Sequence, residues 1–252
     1  MGEIILNERA WVKDVLAAPK LGNSPSETID RLVRYYREEG YKKAVISRMI
    51  DEFLLRCNPR MNTSRWQEYI DTCIQRSDKR ALLNIPYIPI TQRELDMIEG
   101  LPNDSMRKLL FSLLCLAKYG HAVHPKNDGW VNMDRKKIFS LSNIATTVHR
   151  QHLLINDLKS AGYITYSKIV DNINIHVSNI DEQGQPVMRI DDFRNLGNQY
   201  MNHLRGGYIS CKCCGIITKK RGTKQYYCKQ CAVDINNTRN EERKKAMTSG
   251  NF

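Results

Sequence analysis

The chain of 252 residues is 41% hydrophobic and 26% charged, proportions that exclude a disordered polar chain and suit a folded one. Thirty-nine Lys and Arg against 27 Asp and Glu give a net charge of +12, which favours an anionic partner such as nucleic acid. The longest apolar run, residues 109–117, contains Ser112 and falls far short of the ~20 residues a bilayer requires; Met1-Gly2-Glu3 supplies no basic lead-in to a secretory signal, so a cytoplasmic location without membrane attachment is expected.

The first third reads as helices. Ser24-Pro25-Ser26-Glu27 has the pattern of a capping box with Pro at the first helical position, opening a helix to about Gly40 with Ile29, Leu32, Val33 and Tyr36 inward. A second helix is predicted over residues 42–57 with Val45, Met49, Phe53 and Leu54 inward, and Ser64-Arg65-Trp66-Gln67 resembles a further capping box leading to Ile70, Cys73 and Ile74. Three such helices can close a bundle, assigned to residues 1–84.

Ile85-Pro86-Tyr87-Ile88-Pro89-Ile90 cannot be helical, because each proline forces extended geometry on its predecessor, and residues 85–102 are read as a linker with a short helix capped by Thr91 and ended by Gly100. A Leu-rich helix over residues 106–119 follows, then an extended Trp130–Met133, a helix capped by Asp134, a turn at Ser140–Asn143, and a helix over residues 144–161 ending at Gly162. Two alternating strands, residues 163–170 and 172–179, complete the region through a tight turn at Val170–Ile173. On the 144–161 helix, Ile144, Val148, Gln151, Ile155 and Leu158 form the expected inner face; Thr146, Thr147, His149 and Arg150 are the candidate base-reading set. Lys168 on the hairpin and Arg135, Lys136 and Lys137 are candidate phosphate contacts. His149 and His152 lie three apart without a neighbouring carboxylate or Cys that would complete a metal site. Asp191-Asp192 reads as the cap of a helix from Phe193, within a connecting stretch of residues 188–210.

Five of the eight cysteines fall between Cys211 and Cys231. Cys211/Cys214 and Cys228/Cys231 are two pairs with two-residue gaps, the spacing with which tight knuckles present four thiolates to one Zn²⁺ ion, and Gly215 permits the turn after the first. The zinc is expected to be structural, since four thiolates leave no position for a reacting water. Cys213 is expected to stay uncoordinated, and Cys57, Cys73 and Cys115 are read as small core residues. Between the pairs, Ile216–Thr218 and Gln225–Tyr227 are predicted to be the strands of a zinc-ribbon hairpin, assigned to residues 211–233, around a tip bearing Lys219, Lys220, Arg221 and Lys224. These cations beside Tyr226 and Tyr227 could grip a phosphate backbone. From Arg205 to Lys245 eleven basic residues stand against three acidic ones, so eight of the excess charges lie in this end, which finishes in a polar helix or tail over residues 234–252.

The order helix, helix, turn, helix, β-hairpin over residues 103–187 is that of a winged helix-turn-helix, and Ile144 to Ile164, with Leu154, Leu158 and Gly162-Tyr163-Ile164 running into the hairpin, resembles the recognition helix and wing of winged-helix DNA-binding proteins. Together with Asp192–Tyr200 and the four-Cys end, the chain is similar to uncharacterised phage and mobile-element proteins of low-GC Gram-positive bacteria. No P-loop, dinucleotide fingerprint, nucleophile elbow or zinc-protease motif is present, so an enzyme is not expected. The expected fold is thus mainly α with small β: helical bundle, winged helix, zinc ribbon. The expected function is non-enzymatic binding of double-stranded DNA, as a transcriptional regulator or replication accessory. Docking on a host protein, such as the transcription machinery or a nuclease, and single-strand binding by the ribbon are the alternatives.

Overall fold

The computed structural model describes residues 3–167 and 174–249, with side chains to residue 244; the turn at Val170–Ile173 and Lys168 lie outside the described residues. The chain is mainly helical with small sheets and divides into two compact units, residues 1–87 and 88–252.

The first unit contains α1 (Glu8–Ala17), α2 (Pro25–Glu38), α3 (Lys43–Cys57), a 3-10 turn (Thr63–Trp66) and α4 (Gln67–Ser77). The sequence reading lacks α1, whose start is marked by Asn7: its side chain accepts from the Ala10 N–H. Neither serine expected as a cap performs that role. At α2 the Ser24 side chain makes no cap bond, Pro25 presets the first helical turn, and the Ser24 carbonyl accepts the Thr28 N–H. At Ser64 the chain runs through the 3-10 turn, so the α-helix begins at Gln67 instead. The core joins Ile29, Leu32 and Val33 of α2 to Ile70, Cys73 and Ile74 of α4. The inner face of α3 is Ile46, Ile50, Phe53 and Leu54; Val45 and Met49 are only half-buried, a rotation of one residue from the expected stripe.

The second unit begins where a linker was expected. Ile88–Thr91 is a strand, β1, paired antiparallel with Pro186–Ile190 (β5), Ile88 opposite Ile190 and Ile90 opposite Met188. The prolines are compatible because β1 has one paired side and alternates: Ile88 and Ile90 are buried while Pro89 is exposed. Thr91 then closes a capping box with Glu94 and starts α5 (Gln92–Glu99). The central helix α6 (Asp104–Val123) is apolar over most of its circumference, with Leu109, Leu110, Leu113 and Leu114 excluded from solvent. Against it lie a strand, β2 (Trp130–Val131), two helices, α7 (Arg135–Leu141) and α8 (Val148–Ser160), and α9 (Leu196–Arg205), whose Tyr200 ring lies 5.0 Å from that of Phe111. The hairpin strands are shorter than expected, β3 (Ile164–Tyr166) and β4 (Ile175–Val177), and β4 is central in a sheet of order β2-β4-β3. A last antiparallel pair, β6 (Tyr208–Ser210) and β7 (Ile217–Lys219), precedes α10 (Lys229–Ser249).

Two starts in this unit depart from the expected pattern. Residues 144–147 are not helical: Asn143 takes a left-handed conformation, φ 53°, and the helix begins only after Thr147, whose hydroxyl accepts the Arg150 N–H. As a result the inner face of α8 is Leu154, Ile155 and Leu158, and Val148 is 58% exposed. The second departure is at α9, which starts at Leu196 after a left-handed Asn195; Asp192 instead accepts from the backbone and guanidinium of Arg194.

Candidate metal centre and candidate nucleic-acid interface

β6 and β7 flank the first knuckle: Ser210 pairs with Ile217, the Gly215 N–H donates to the Cys211 carbonyl at 2.8 Å, and the Cys211 N–H donates to Ile216. Gly215 sits at φ 75°, the left-handed region where a side chain would strain the backbone. The second knuckle is the start of α10, where the Cys231 N–H donates to the Cys228 sulfur at 3.4 Å. This arrangement corrects the expected hairpin: the strands pair across the first cysteine pair, and Gln225–Tyr227 is no strand, though the Lys212 N–H bonds the Tyr226 carbonyl.

The four sulfurs of Cys211, Cys214, Cys228 and Cys231 lie within 4.8 Å of one another, positioned to hold a metal ion. Tetrahedral bonds of about 2.3 Å to zinc would set sulfurs about 3.8 Å apart, and Cys214 Sγ and Cys228 Sγ are 3.8 Å apart. Cys211 and Cys231 are buried and the other two half-buried, while Cys213 is exposed and outside the cluster. Burial opposes ionisation of Cys211, but donors from the backbone of Cys214, Cys228 and Cys213 prevail and bring its pKa to about 6. The neighbouring sulfurs of Cys228 and Cys214 hold a proton on Cys231 and raise its pKa. Four close thiols cannot all ionise against one another without a cation; a divalent ion meets that need.

A set of hydrogen bonds joins this centre to the turn before α8. Arg194 donates to the Cys214 carbonyl at 2.8 Å, and Asn195 Nδ2 and Asn198 Nδ2 donate to the Ile217 carbonyl at 3.1 and 3.3 Å. Asn143 Nδ2 in turn donates to Asn195 Oδ1 at 2.8 Å, and the Asn198 N–H donates to Asn143 Oδ1 at 3.3 Å. Between them Gly197 lies so close to the Ser142 carbonyl that a Cβ would come within 1.9 Å of its oxygen.

The candidate nucleic-acid residues fall in three places. Thr146, Thr147, His149 and Arg150 are together at the beginning of α8, with Thr147, His149 and Arg150 exposed and Thr146 half-buried. Thr146 and Thr147 therefore precede the helix, and the Thr147 hydroxyl is already engaged as its cap. Arg135, Lys136 and Lys137 form the first turn of α7, whose cap is Asp134, and the Arg135 guanidinium reaches the His152 ring of α8. Lys219, Lys220, Arg221 and Lys224 are exposed at the end of β7 and in the tip loop. Lys219 also repels Lys108, whose pKa is lowered first by burial.

Sequence reasoning singled out Tyr226 and Tyr227 but missed two cations around the tip, Lys212 and Lys229. Tyr226 carries the Lys212 ammonium 4.3 Å from its ring centre, and Lys229 of α10 shares a depression with Arg221, Lys224 and Tyr227. Lys229 could have been suspected from its place between Cys228 and Cys231; the Lys212 contact spans fourteen residues and has no local signal.

No protein-family model, curated protein or solved structure matches this chain.

Proposed function

We propose that the chain is a non-enzymatic DNA-binding protein in which α6 to β4 act as a winged helix on duplex DNA and the knuckle pair is a structural zinc ribbon that grips the backbone. The observation that carries the reading is the order α6, β2, α7, α8, β3, β4, with β2-β4-β3 in one sheet and the leading turn of α8 exposed. In such an arrangement α8 enters the major groove, where Arg150 can pair bidentately with a guanine and Thr146, Thr147 and His149 lie near neighbouring base edges or phosphates. Arg135, Lys136 and Lys137, with Lys219, Lys220, Arg221 and Lys224, neutralise phosphates and give affinity without sequence preference. The charge of +12 supports this division of labour. By its resemblance to phage and mobile-element proteins, the role is that of a transcriptional regulator or replication accessory factor in the cytoplasm.

Binding to duplex DNA across a salt series tests the reading. Arg150→Ala should cost about 1–3 kcal/mol on the preferred site and flatten preference among sequences, while Lys220→Ala weakens all sequences alike and reduces the salt slope by about one. Absence of duplex binding at low salt would refute it.

A second reading, docking of α8 on a host protein, is favoured by Val148 and Leu153, which are 58% and 37% exposed on that helix. A Leu153→Glu substitution that removes biological activity while leaving duplex affinity unchanged would select it.

A further inference from the structure

The tip loop, the residues following it and the first turn of α10 enclose a depression of about 640 Å³, lined by Thr218, Arg221, Lys224, Tyr227, Lys229 and Ala232 together with Gly222, Thr223 and Gln225. Three of these side chains are cations and none is a carboxylate, so the depression has an unbalanced positive charge. The half-buried Tyr227 and the small Ala232 are also among the lining residues. Arg221, Lys224 and Lys229 are all exposed. The loop is braced from within: the Gln225 side chain accepts the Arg221 N–H at 2.6 Å and donates to the Tyr227 carbonyl at 3.2 Å, and the Gln225 N–H donates to Gly222 at 3.3 Å. Tyr226, the adjacent ring, is engaged with Lys212 and is not among the lining residues.

An anion alone would satisfy the three cations but leave the ring without use; an isolated aromatic group would leave the charge unmet. A nucleotide has both parts, a phosphate for Arg221, Lys224 and Lys229 and a base for the face of Tyr227. In a duplex each base is covered above and below by its neighbours, whereas an unpaired strand presents free faces. The geometry points to this depression as a binding site for an unpaired nucleotide within a single strand, separate from the surface of α8. It deepens the proposed grip of the ribbon on backbone by naming the kind of strand gripped, and it rests on a folded, metal-loaded knuckle but not on duplex reading by α8.

The test uses the full metal-loaded chain and a fluorescent single-stranded oligodeoxythymidine, titrated across salt. Tyr227→Leu should weaken binding by about tenfold, the loss expected for one stacked base, and Lys224→Gln should lower the salt slope by about 0.7, the value for one phosphate on a single strand. Metal content and the thermal transition, measured on each variant, establish that the knuckle is intact; Lys224→Gln, at an exposed loop position, supplies the test if Tyr227→Leu does not fold. Unlabelled thymidine monophosphate, matched in nucleotide concentration, should compete poorly. Unchanged affinity in Tyr227→Leu and an unchanged slope in Lys224→Gln would overturn the assignment, and equal competition by the mononucleotide would overturn the strand as its ligand. Arg150→Ala, run in parallel, should leave the single-strand affinity unaltered, so a failure of duplex reading is told apart from a failure of this pocket.

Discussion

Glu8 shows how a single side chain organises the first unit. Its carboxylate accepts from Arg34 at 2.7 and 2.9 Å, from Arg31 at 2.9 Å and from the Leu83 N–H at 2.8 Å, although it is 3% exposed. Burial pushes its pKa up, but the arginine and backbone donors outweigh that and the net shift is downward. A lowered carboxylate pKa contributes stability that is fully present above the unfolded value, 4.5, and is lost as pH falls through the lower folded value. Glu8→Gln should remove this acid dependence and, by taking from the buried Arg34 one of its two carboxylate partners and leaving only Asp30, cost about 3 kcal/mol in urea unfolding at neutral pH. A variant that keeps both the wild-type stability and the wild-type pH profile would contradict this. Nothing local announces the Glu8 set, because its partners are 23, 26 and 75 residues away. The same holds for Lys118, whose buried ammonium donates to Glu94 and to the carbonyls of Pro89 and Asp181 from the Leu-rich α6.

Elements were legible where their signals are local. The Thr91 capping box, the Asp134 cap and the Leu-rich α6 follow from neighbouring residues, and so does the polar α10. Pairing across distance was not: Ile88 of β1 and its partner Ile190 of β5 are 102 residues apart, and prolines that exclude a helix cannot by themselves distinguish a linker from an edge strand. At α8 three cap-competent residues, Ser142, Asn143 and Thr147, lie within six positions, and the expected start at residue 144 follows from the first two. The left-handed Asn143 and its bonds to α9 decide the matter, holding the backbone out of the helix until Thr147. Thr147→Ala should therefore destabilise the unit by about 1 kcal/mol, read from thermal or urea unfolding. Gly197→Ala should be more severe, at least about 1–3 kcal/mol, because the added methyl meets the backbone of Ser142 rather than a movable side chain. Equal stability of Gly197→Ala and the wild type would mean that α9 does not seat against that turn.

For the whole molecule, the cysteine spacing in sequence was enough to identify the four sulfurs that converge, because a knuckle is a local structure. The strand pairing around them was not readable, since β6 lies before the first cysteine, where sequence reasoning placed only a connection. Among the described residues no helix is long and apolar enough to cross a membrane. Chelation should remove one metal ion per chain and open the segment from β6 to the start of α10, because so few of its residues are fully buried that the ion must supply much of its order. Limited proteolysis with and without chelator checks this: new cuts should fall between Tyr208 and Lys229, while the first unit, whose core contains none of the four ligands, keeps its own transition. Proteolysis that is unchanged by chelator would show that the knuckles hold without metal.

The Ile217 carbonyl receives two asparagine amides, and both of those asparagines also hold Asn143. Metal loss that displaces β7 should leave the amides of Asn195 and Asn198 without the Ile217 carbonyl, and Asn143, four residues before the Thr147 cap of α8, with partners no longer fixed in place. If α8 faces DNA as proposed, loss of the ion should alter the presentation of Arg150 along a short path made almost wholly of amides, groups whose own charge does not change with pH.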